Sequence, residues 1–304
     1  MKVLITGING FVGARLAREL LGRGYEVRGV DHPLANMGRI LPIVKDLDYV
    51  PLDLLQAGID GWNNLLEGVD GCIHCAWVAT PGKYLFAPEN VQWLEATLEL
   101  YRAIPATSCK RLLGIGTCFE YDTRVGYLSE NTPLTPGSLY AASKVAAYVV
   151  GSQLLARQGI QFAWARLFYL FGEEEAQGRL VPDVIQKLLR DQPVELTEGR
   201  QVRDFMYIGD AAKALADIFE NPVCGAVNVG SGVSVTVRQL VETMASIIGK
   251  DGLLKFGVRQ ENACDPAVIV ADISRLRDEV GFSRNDGFDV AMCRVVDWWR
   301  VKGT

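Results

Sequence analysis

The sequence predicts an α/β fold: a doubly wound parallel β-sheet with helices on both faces, and beside it a smaller C-terminal α/β lobe. Three observations lead to this prediction. Short apolar runs without polar alternation recur through the first 230 residues, as in strands buried on both faces. Segments with helical spacing separate these runs, which is the order of a parallel sheet with crossover helices. The first run leads directly into a glycine-rich turn that opens a helix.

The predicted elements alternate along the chain. The strands are expected at 2–6, 26–31, 48–54, 71–76, 110–116, 160–167 and 226–230. The helices are expected at 11–24, 90–104, 140–156, 184–190 and 210–220, with a charged loop at 172–182. A Rossmann domain would then comprise residues 1–170 plus about 208–230, and a substrate-binding lobe about 171–207 and 231–304. The two domains are interleaved.

Composition excludes several classes of protein. Of the 304 residues 49% are hydrophobic and 22% charged, an ordinary globular balance. The net charge of −5 provides no basic field for nucleic acid or an anionic membrane surface. No apolar run reaches the roughly 18 residues that a membrane span needs, and the chain opens on a predicted strand rather than a secretory signal. We therefore expect a cytoplasmic protein.

The cysteines are odd in number and scattered, as in a protein with reduced thiols. Cys72 and Cys75 form a C-x-x-C pattern, but it lies in a predicted strand. Strand residues three apart point to opposite faces, so the pair is not expected to bind a metal or to form a redox couple. No metal site is predicted.

The turn TGINGFVG, residues 6–13, has the spacing of a dinucleotide-binding loop. Gly7 would allow the tight turn, Gly10 would let the backbone approach a pyrophosphate, and Gly13 would let helix and strand pack closely. The helix start supplies free N–H groups and the positive end of its dipole. The alternative is a tight strand–helix turn without a ligand.

Asp31 ends the second predicted strand, 18 residues after Gly13. A carboxylate at this place accepts hydrogen bonds from the ribose hydroxyls and repels a 2′-phosphate, so NAD is favoured over NADP. Arg28 and Arg39 lie nearby in sequence and could weaken that preference, which leaves NADP as an alternative.

Tyr140 and Lys144 are four residues apart in the helical run SLYAASKVAAYVV. Both side chains therefore lie on one face of the helix. One interpretation is structural, a lysine capping a half-buried tyrosine. The other is a phenol that acts as general acid or base, with an ammonium lowering its pKa from roughly 10.

Several stretches together resemble one family. They are TGINGFVG (6–13), LDL (52–54), HCAW (74–77), Asn90, GTCFEYD (116–122), VRDFMYIGD (202–210) and NVGSG (228–232). These motifs and their order are similar to those of the extended short-chain dehydrogenase/reductases, the NAD-dependent epimerases, dehydratases and reductases of nucleotide sugars. The resemblance runs almost the full length of the chain.

The resemblance implies roles for three catalytic residues. Tyr140 would exchange a proton with a sugar hydroxyl or ketone while the nicotinamide exchanges hydride. Lys144 would hold the nicotinamide ribose and keep the pKa of the phenol low, and Thr117 would hydrogen-bond the same sugar oxygen. No histidine is needed, and His74 on a buried strand is expected to be structural.

The resemblance also implies the binding residues. Those for the cofactor are Gly7, Asn9, Gly10, Phe11, Val12, Gly13, Asp31, Asp53, Leu54, Ala76, Trp77, Asn90, Tyr140, Lys144 and Phe168. Those for a nucleotide-sugar substrate are Thr80, Thr117, Tyr140, Tyr169, Arg179, Val181 and Arg203. Family members pair through the helices predicted at 90–104 and 140–156, so a homodimer is expected. The alternative is that the apolar residues of these helices face the sheet.

On the substrate side the sequence departs from the family pattern twice. Tyr169 stands where an asparagine is usual, and 262–265 reads N-A-C-D where an arginine is usual. An amide does not replace a bidentate guanidinium. Arg203 is then the expected partner of the diphosphate, with Arg179 and Arg259 as further candidates.

The residues after Thr117 bear on the reaction. The family's 4,6-dehydratases read T-D-E-x-Y here, whereas this chain has Cys118 and Phe119, which are poor acids and bases. Dehydration is therefore disfavoured. Glu120 stands next to Tyr121 where the family usually has an aliphatic residue, and no role follows for it. Reduction of a 4-keto-6-deoxy sugar nucleotide and NAD-dependent 4-epimerisation remain.

The T-C-F-E-Y stretch, the segment HCAWVATPGKY and the short chain look more like deoxysugar 4-ketoreductases, so deoxysugar biosynthesis is the favoured setting. The NAD preference of Asp31 points towards epimerisation. A non-catalytic dinucleotide sensor is a remote third alternative, because the tyrosine, the lysine and the glycine pattern are all intact.

Overall fold

A computed structural model describes residues 1–262 and 265–302. Ala263 and Cys264, in the middle of the stretch that lacks the usual arginine, lie outside the described residues.

The strands and helices follow the predicted order. In chain order the strands are β1 (Lys2–Thr6), β2 (Glu26–Asp31), β3 (Leu47–Pro51), β4 (Gly71–His74), β5 (Arg111–Thr117), β6 (Tyr127–Leu128), β7 (Gln161–Leu167), β8 (Tyr169–Phe171), β9 (Val194–Glu195), β10 (Val202–Tyr207), β11 (Gly225–Val229), β12 (Ser234–Thr236), β13 (Leu254–Lys255) and β14 (Val268–Ala271). The helices are α1 (Phe11–Gly22), α2 (Gly58–Leu66), α3 (Glu89–Ala103), α4 (Leu139–Arg157), α5 (Leu180–Leu189), α6 (Ile208–Glu220), α7 (Val237–Ile248), α8 (Ser274–Asp278) and α9 (Phe288–Lys302).

The larger sheet has seven parallel strands in the order β11-β7-β5-β4-β1-β2-β3, so the predicted doubly wound sheet is confirmed. Alternate residues of β1 enter different cores: Val3 and Ile5 pack with α1 and α6, and Leu4 packs with α2, α3 and α4. Strand order reverses between β1 and β4. In open α/β sheets, ligands bind outside the carboxyl ends of the strands at such a point.

Two predicted strands extend too far. β3 ends at Pro51 rather than at residue 54, since Asp53 Oδ1 accepts from the Leu55 N–H in a local turn. β4 ends at His74 rather than at 76, since the Ala76 N–H leaves the ladder and donates to Thr6 Oγ1. Because both strands end early, Asp53 and Leu54 after β3 and Ala76 after β4 lie in loops at the carboxyl edge of the sheet.

Helix α2 was not predicted, and α5 begins at Leu180, earlier than the predicted 184. Each is a short amphipathic helix that buries one apolar face. The predicted charged loop is accordingly shorter, ending at Arg179.

A smaller sheet has the order β12-β10-β14-β6, with β8 also pairing with β10. Helices α5, α7 and α9 cover it with a separate apolar core. β6 falls within the range predicted for the Rossmann domain, yet it pairs with β14 of the smaller sheet. β11 returns to the edge of the larger sheet beside β7, as predicted. The assignment of domain boundaries stays a prediction.

His74 and Cys72 are buried and Cys75 is half-buried, and all three side chains are uncharged. His74 lies between Thr6 and Thr97, with Nδ1 2.8 Å from Thr6 Oγ1 and Nε2 2.9 Å from Thr97 Oγ1. Burial lowers the pKa of His74 to about 3 and raises the pKa of the Cys75 thiol to about 12. Within 1–262 and 265–302, no cluster of three histidine, cysteine or carboxylate side chains is arranged to hold a metal. No helix in the same ranges is long and apolar enough to cross a membrane.

The pKa of His74 gives a first prediction. The unfolded chain takes up a proton near pH 6.5 and the folded chain only near pH 3, so stability falls as the pH drops below 6.5. At pH 5 this histidine should cost the fold about 2 kcal/mol relative to pH 8. Urea unfolding at both pH values should show that difference shrinking in His74→Gln. An unchanged difference would contradict the burial of a neutral ring.

Candidate active site

The glycine-rich turn forms a cradle with no room for side chains. A Cβ on Gly13 would lie 2.2 Å from Gly7 O, and a Cβ on Gly7 would lie 2.8 Å from the Ala76 backbone. Gly7 also has a positive φ of 67°, which glycine adopts freely. Gly10 is the N-cap of α1, where no side chain caps the helix and no acidic residue occupies the first turn. The N–H groups at Phe11 and Val12 therefore begin an uncapped helix, which suits an anionic pyrophosphate.

Asp31 ends β2 directly beside this turn. Its carboxylate accepts from the N–H of Asn9 at 2.9 Å and from that of His32 at 2.8 Å, which fixes it at the carboxyl edge of the sheet. A fixed, half-buried carboxylate next to a phosphate cradle fits the ribose of NAD. The glycine cradle and Asp31 together would hold the dinucleotide.

Neither nearby arginine is free to accept a 2′-phosphate. Arg28 Nε donates to Asp48 Oδ2, and its Nη1 donates to the carbonyls that end α2. Arg39 Nη1 donates to Asn9 O, and its Nε and Nη2 donate to Glu174 O. Arg39 thus links the glycine turn to the loop before α5, a contact that the sequence analysis did not predict.

Four of the other predicted cofactor residues lie at the carboxyl edge of the larger sheet, and a fifth, Phe168, packs in an apolar cluster. Asp53 and Leu54 follow β3 at the same edge of the sheet, with Leu54 buried and Asp53 3.9 Å from His32. Ala76 and Trp77 follow β4, facing the glycine turn and Lys144 respectively. Phe168, by contrast, is 5% exposed and packs in an apolar cluster with Cys118 and Tyr121.

Tyr140, Lys144 and Thr117 come together at the end of β5. Ser138 caps α4, so Tyr140 lies in its first turn, and Lys144 lies one turn later. Thr117 ends β5 and caps the short 3-10 helix Cys118–Glu120. Thr117 interacts with the phenol of Tyr140 and lowers its pKa. Lys144 Nζ donates to Ile115 O at 2.7 Å, on the strand that carries Thr117.

The electrostatics differ from the expectation that Lys144 keeps the Tyr140 pKa low. Burial raises the pKa of the Tyr140 phenol, and the neighbouring Tyr84 raises it further. Burial also lowers the pKa of the Lys144 ammonium to about 7, against the charge of Glu120, which raises it. The physical reason is that Lys144 is buried and Tyr140 is half-buried beside it, so the loss of water contact outweighs the effect of neighbouring groups on both pKa values.

An aromatic segment covers the phenol and the ammonium. The Lys144 Nζ lies 3.7 Å from the centre of the Trp77 ring. Tyr84 packs edge-on against Tyr140 at 5.0 Å, and the Tyr140 N–H donates to Leu85 O. Asn90 fixes this segment, because its Oδ1 accepts from the Trp77 indole and its Nδ2 donates to Tyr84 O and Ala87 O. All the polar atoms of its side chain have protein partners.

The predicted substrate residues are dispersed. The guanidinium of Arg179 lies over the ring of Tyr84 at 5.4 Å, and Tyr84 in turn packs against Tyr140. Arg203 is buried under Tyr169 and donates to Asp265 Oδ1 at 2.7 Å. Thr80 is exposed and Val181 is buried in the core of the smaller sheet, while Arg259 is exposed.

The side chains after Thr117 offer no second acid or base. Burial raises the pKa of the Cys118 thiol to about 12, so it is neutral. Phe119 packs edge-on against Tyr169. Glu120 is fully buried and pairs with Arg166 at 2.6 Å, so it points into the interior. Its location within an otherwise aliphatic slot was the only signal for this pair in the sequence.

The fold is that of a dinucleotide-dependent α/β enzyme, with a glycine-rich turn, the carboxylate of Asp31 beside it and a Thr-Tyr-Lys group at the same edge of the sheet. Residues 3–230 match the model of the NAD dependent epimerase/dehydratase family. The chain belongs to this family, as the sequence motifs implied, and its cofactor is NAD.

Individual relatives cover nearly the whole chain. An uncharacterised UDP-glucose epimerase of Bacillus subtilis is 29% identical over 298 residues, 91% of each chain. The structure of a UDP-N-acetylglucosamine 4-epimerase from Methanobrevibacter ruminantium superposes with a TM-score of 0.89 at 25% identity, covering 99% of this chain and 98% of that one. A dTDP-glucose 4,6-dehydratase of Streptomyces venezuelae, solved with NAD, has a TM-score of 0.86 at 23% identity, covering 99% and 97%.

Asp31 gives a second prediction. Asp31→Asn should weaken NAD binding about 10–100-fold, the effect of losing a charge-assisted hydrogen bond, and should weaken NADP binding less. The dissociation constant for NADP divided by that for NAD, both measured by calorimetry, should therefore fall. Asp48→Asn, a carboxylate on the adjacent strand that pairs with Lys2 and Arg28, is the matched control. An equal loss for both dinucleotides would exclude ribose recognition by Asp31.

Proposed function

We propose that the protein is an NAD-dependent oxidoreductase of nucleotide sugars that reduces a 4-keto-6-deoxy sugar nucleotide. Bound NADH would supply the hydride for C4, and the Tyr140 phenol would give the proton to the C4 oxygen. Lys144 holds the nicotinamide ribose, and Thr117 orients the oxygen that is reduced. The observation that carries the proposal is the meeting of Thr117, Tyr140 and Lys144 beside a dinucleotide cradle.

The chemistry of the site limits the reactions open to it. Elimination of water across C5 and C6 needs one group to take the C5 proton and another to protonate the leaving hydroxyl. Cys118 is a neutral buried thiol, Phe119 carries no proton, and Glu120 is turned away into an ion pair. The site therefore supports hydride transfer with one proton donor, and not dehydration.

The preference for reduction over epimerisation rests on the sequence, since the T-C-F-E-Y stretch and the segment HCAWVATPGKY resemble deoxysugar 4-ketoreductases. A 4-epimerase must let its keto intermediate turn over, so that the nicotinamide can return hydride to the opposite face. Here Tyr84 lies against Tyr140, Trp77 lies over Lys144, and Arg179 closes over Tyr84. These side chains crowd the phenol and the ammonium, where a keto intermediate would need space to turn over.

NAD-dependent 4-epimerisation is the second candidate. Two of the relatives described above are epimerases by name, and the carboxylate of Asp31 fits a tightly held NAD. The same Tyr140 would then remove and return the proton. The two candidates differ in whether cofactor is consumed.

One experiment separates them. Purified protein is incubated with NADH and a panel of 4-keto-6-deoxy sugar nucleotides, and absorbance at 340 nm is followed. Stoichiometric oxidation of NADH supports the reductase. Interconversion of 4-epimers without net oxidation, with NAD released from the denatured protein, supports the epimerase instead. A protein that binds NAD but converts no nucleotide sugar would contradict both, and would restore the sensor alternative.

We propose further that two chains associate through α3 and α4. These helices pack against each other, and Val91, Val149 and Val150 remain exposed on them. Sedimentation velocity of the purified protein tests this. The cytoplasmic location stays a prediction.

A further inference from the structure

Glu120 and Arg166 form an ion pair inside the protein, directly behind the catalytic group. Their side chains are 0% and 1% exposed, and Arg166 Nε donates to Glu120 Oε2 at 2.6 Å. Removing two charges from water is costly, and apolar pairs of similar volume often stabilise a fold as well or better. The position of the pair therefore suggests a purpose other than stability.

The first contact of Glu120 is with Thr117. Its Oε1 accepts from the Thr117 backbone N–H at 2.8 Å, closing a capping box at the end of β5. The preceding residue must be glycine, because a Cβ on Gly116 would lie 2.4 Å from that same oxygen. The carboxylate thus fixes the turn from which the Thr117 hydroxyl faces Tyr140.

The second contact leads to Lys144 through Trp164. The Trp164 indole N–H is shared between the two oxygens of Glu120, at 3.0 and 3.2 Å. The Lys144 Nζ lies 5.7 Å from the centre of the same ring. Glu120 is therefore the negative group behind a buried ammonium, and its charge favours the protonated form.

Arg166 holds the carboxylate from the other side. Its guanidinium lies over the Tyr121 ring at 4.5 Å, and its Nη1 donates to the Tyr121 hydroxyl at 2.9 Å. The Tyr121 hydroxyl in turn donates to Asn228 Oδ1, on β11. Rings and hydrogen bonds so confine the guanidinium that Glu120 cannot rotate away from Thr117 without breaking the pair.

We propose that Glu120, held in place by Arg166, is a positioning residue: it fixes Thr117 and keeps Lys144 an ammonium that can hold the nicotinamide ribose. The catalytic part of this inference rests on the proposed function. The part that concerns Lys144 rests only on the binding of the dinucleotide.

Other titratable groups around Lys144 do not supply this charge. His74 on β4 and Cys75 just after it are neutral, and Tyr140 on the same helix as Lys144 has a raised pKa. Tyr101 on α3 is buried, with its pKa raised as well. On β7, Arg166 is a cation. Glu120 alone among these groups is an anion.

The test replaces the pair by apolar residues of similar volume, Glu120→Leu with Arg166→Met. Tyr121→Phe is the matched control, since it removes hydrogen bonds to Arg166 and Asn228 but none to Glu120. For the folded double variant we expect kcat to fall about 10–100-fold with KM changed less than threefold, as for lost orientation of a reacting group. We also expect the pH above which NADH affinity declines to move down by about one unit. Because Tyr121→Phe keeps the ring beside Arg166 and every bond of Glu120, it should change kcat less than threefold and should not move the pH dependence.

Glu120→Gln covers the case in which the double variant does not fold. Its amide oxygen can still accept from the Thr117 N–H, so kcat should stay within a few-fold while the pH dependence of NADH binding still shifts. A folded variant lacking the carboxylate, with the kcat and pH dependence of the unmodified protein, would overturn the inference. If the protein binds NADH but reduces no keto sugar, the proposed function fails, and NADH binding against pH still decides the role of Glu120.

Discussion

Tyr140→Phe is expected to lower kcat for reduction of the 4-keto sugar nucleotide by about 10²–10⁴-fold, the range for loss of a placed general acid. The ring would keep its contact with Tyr84, and the backbone N–H would still donate to Leu85 O. The fold and NADH affinity should therefore be retained. Stopped-flow absorbance at 340 nm with saturating NADH measures the loss directly.

The neighbouring hydroxyl provides the control. Tyr84→Phe removes a phenol that touches Tyr140 but has no assigned proton to deliver, so its kcat should remain within a few-fold of the unmodified protein. Equal losses in the two variants would mean that the aromatic packing, and not the Tyr140 proton, governs the rate.

Lys144→Met is expected to abolish productive cofactor binding while making the protein more stable. The ammonium lies buried against Trp77, and burial lowers its pKa from 10.5 to about 7. The unfolded chain therefore holds this proton more tightly between pH 7 and 10.5, and stability rises with pH across that window. Methionine removes the desolvation cost, so the free energy of unfolding at pH 7 should increase by about 2 kcal/mol even after loss of the bond to Ile115 O.

Urea unfolding at pH 7 and pH 9 checks this result. The unmodified protein should gain about 2 kcal/mol between the two pH values from Lys144 alone, and Lys144→Met should lack that gain. Lys110→Met, at an exposed lysine, is the control. A methionine variant that is less stable at pH 7 would show that the ammonium is not desolvated. Such a combination, stability gained and activity lost, is typical of a functional group held in an unfavourable place.

Local patterns were sufficient to predict the larger sheet and the glycine-rich turn that follows β1. The apolar runs become the strands, and the glycine spacing in 6–13 becomes a turn that a Cβ would obstruct. The helical spacing of Tyr140 and Lys144 places them one turn apart, as predicted. These features depend on residues close in sequence, whose geometry the backbone dictates.

Contacts between distant segments could not be predicted. Glu120 was noted as unusual, but its partner Arg166 lies 46 residues further on, and nothing local links them. The pairing of β6 with β14 and the covering of Tyr140 by Tyr84 likewise depend on how the sheets meet. The expected lowering of the Tyr140 pKa was wrong, because the sequence does not show how far folding removes the phenol from water.

The path of the chain between the two sheets has a consequence for motion. It leaves β5 for β6, returns to β7, crosses to β8 and β10, returns to β11, and ends in the smaller sheet. The chain therefore crosses between the two sheets several times. A hinge motion that separated the sheets would have to bend all of these connecting segments at once. We therefore expect substrate to enter through displacement of surface loops, such as the one that Arg39 fastens to the glycine turn, while the two sheets keep their mutual orientation through the catalytic cycle.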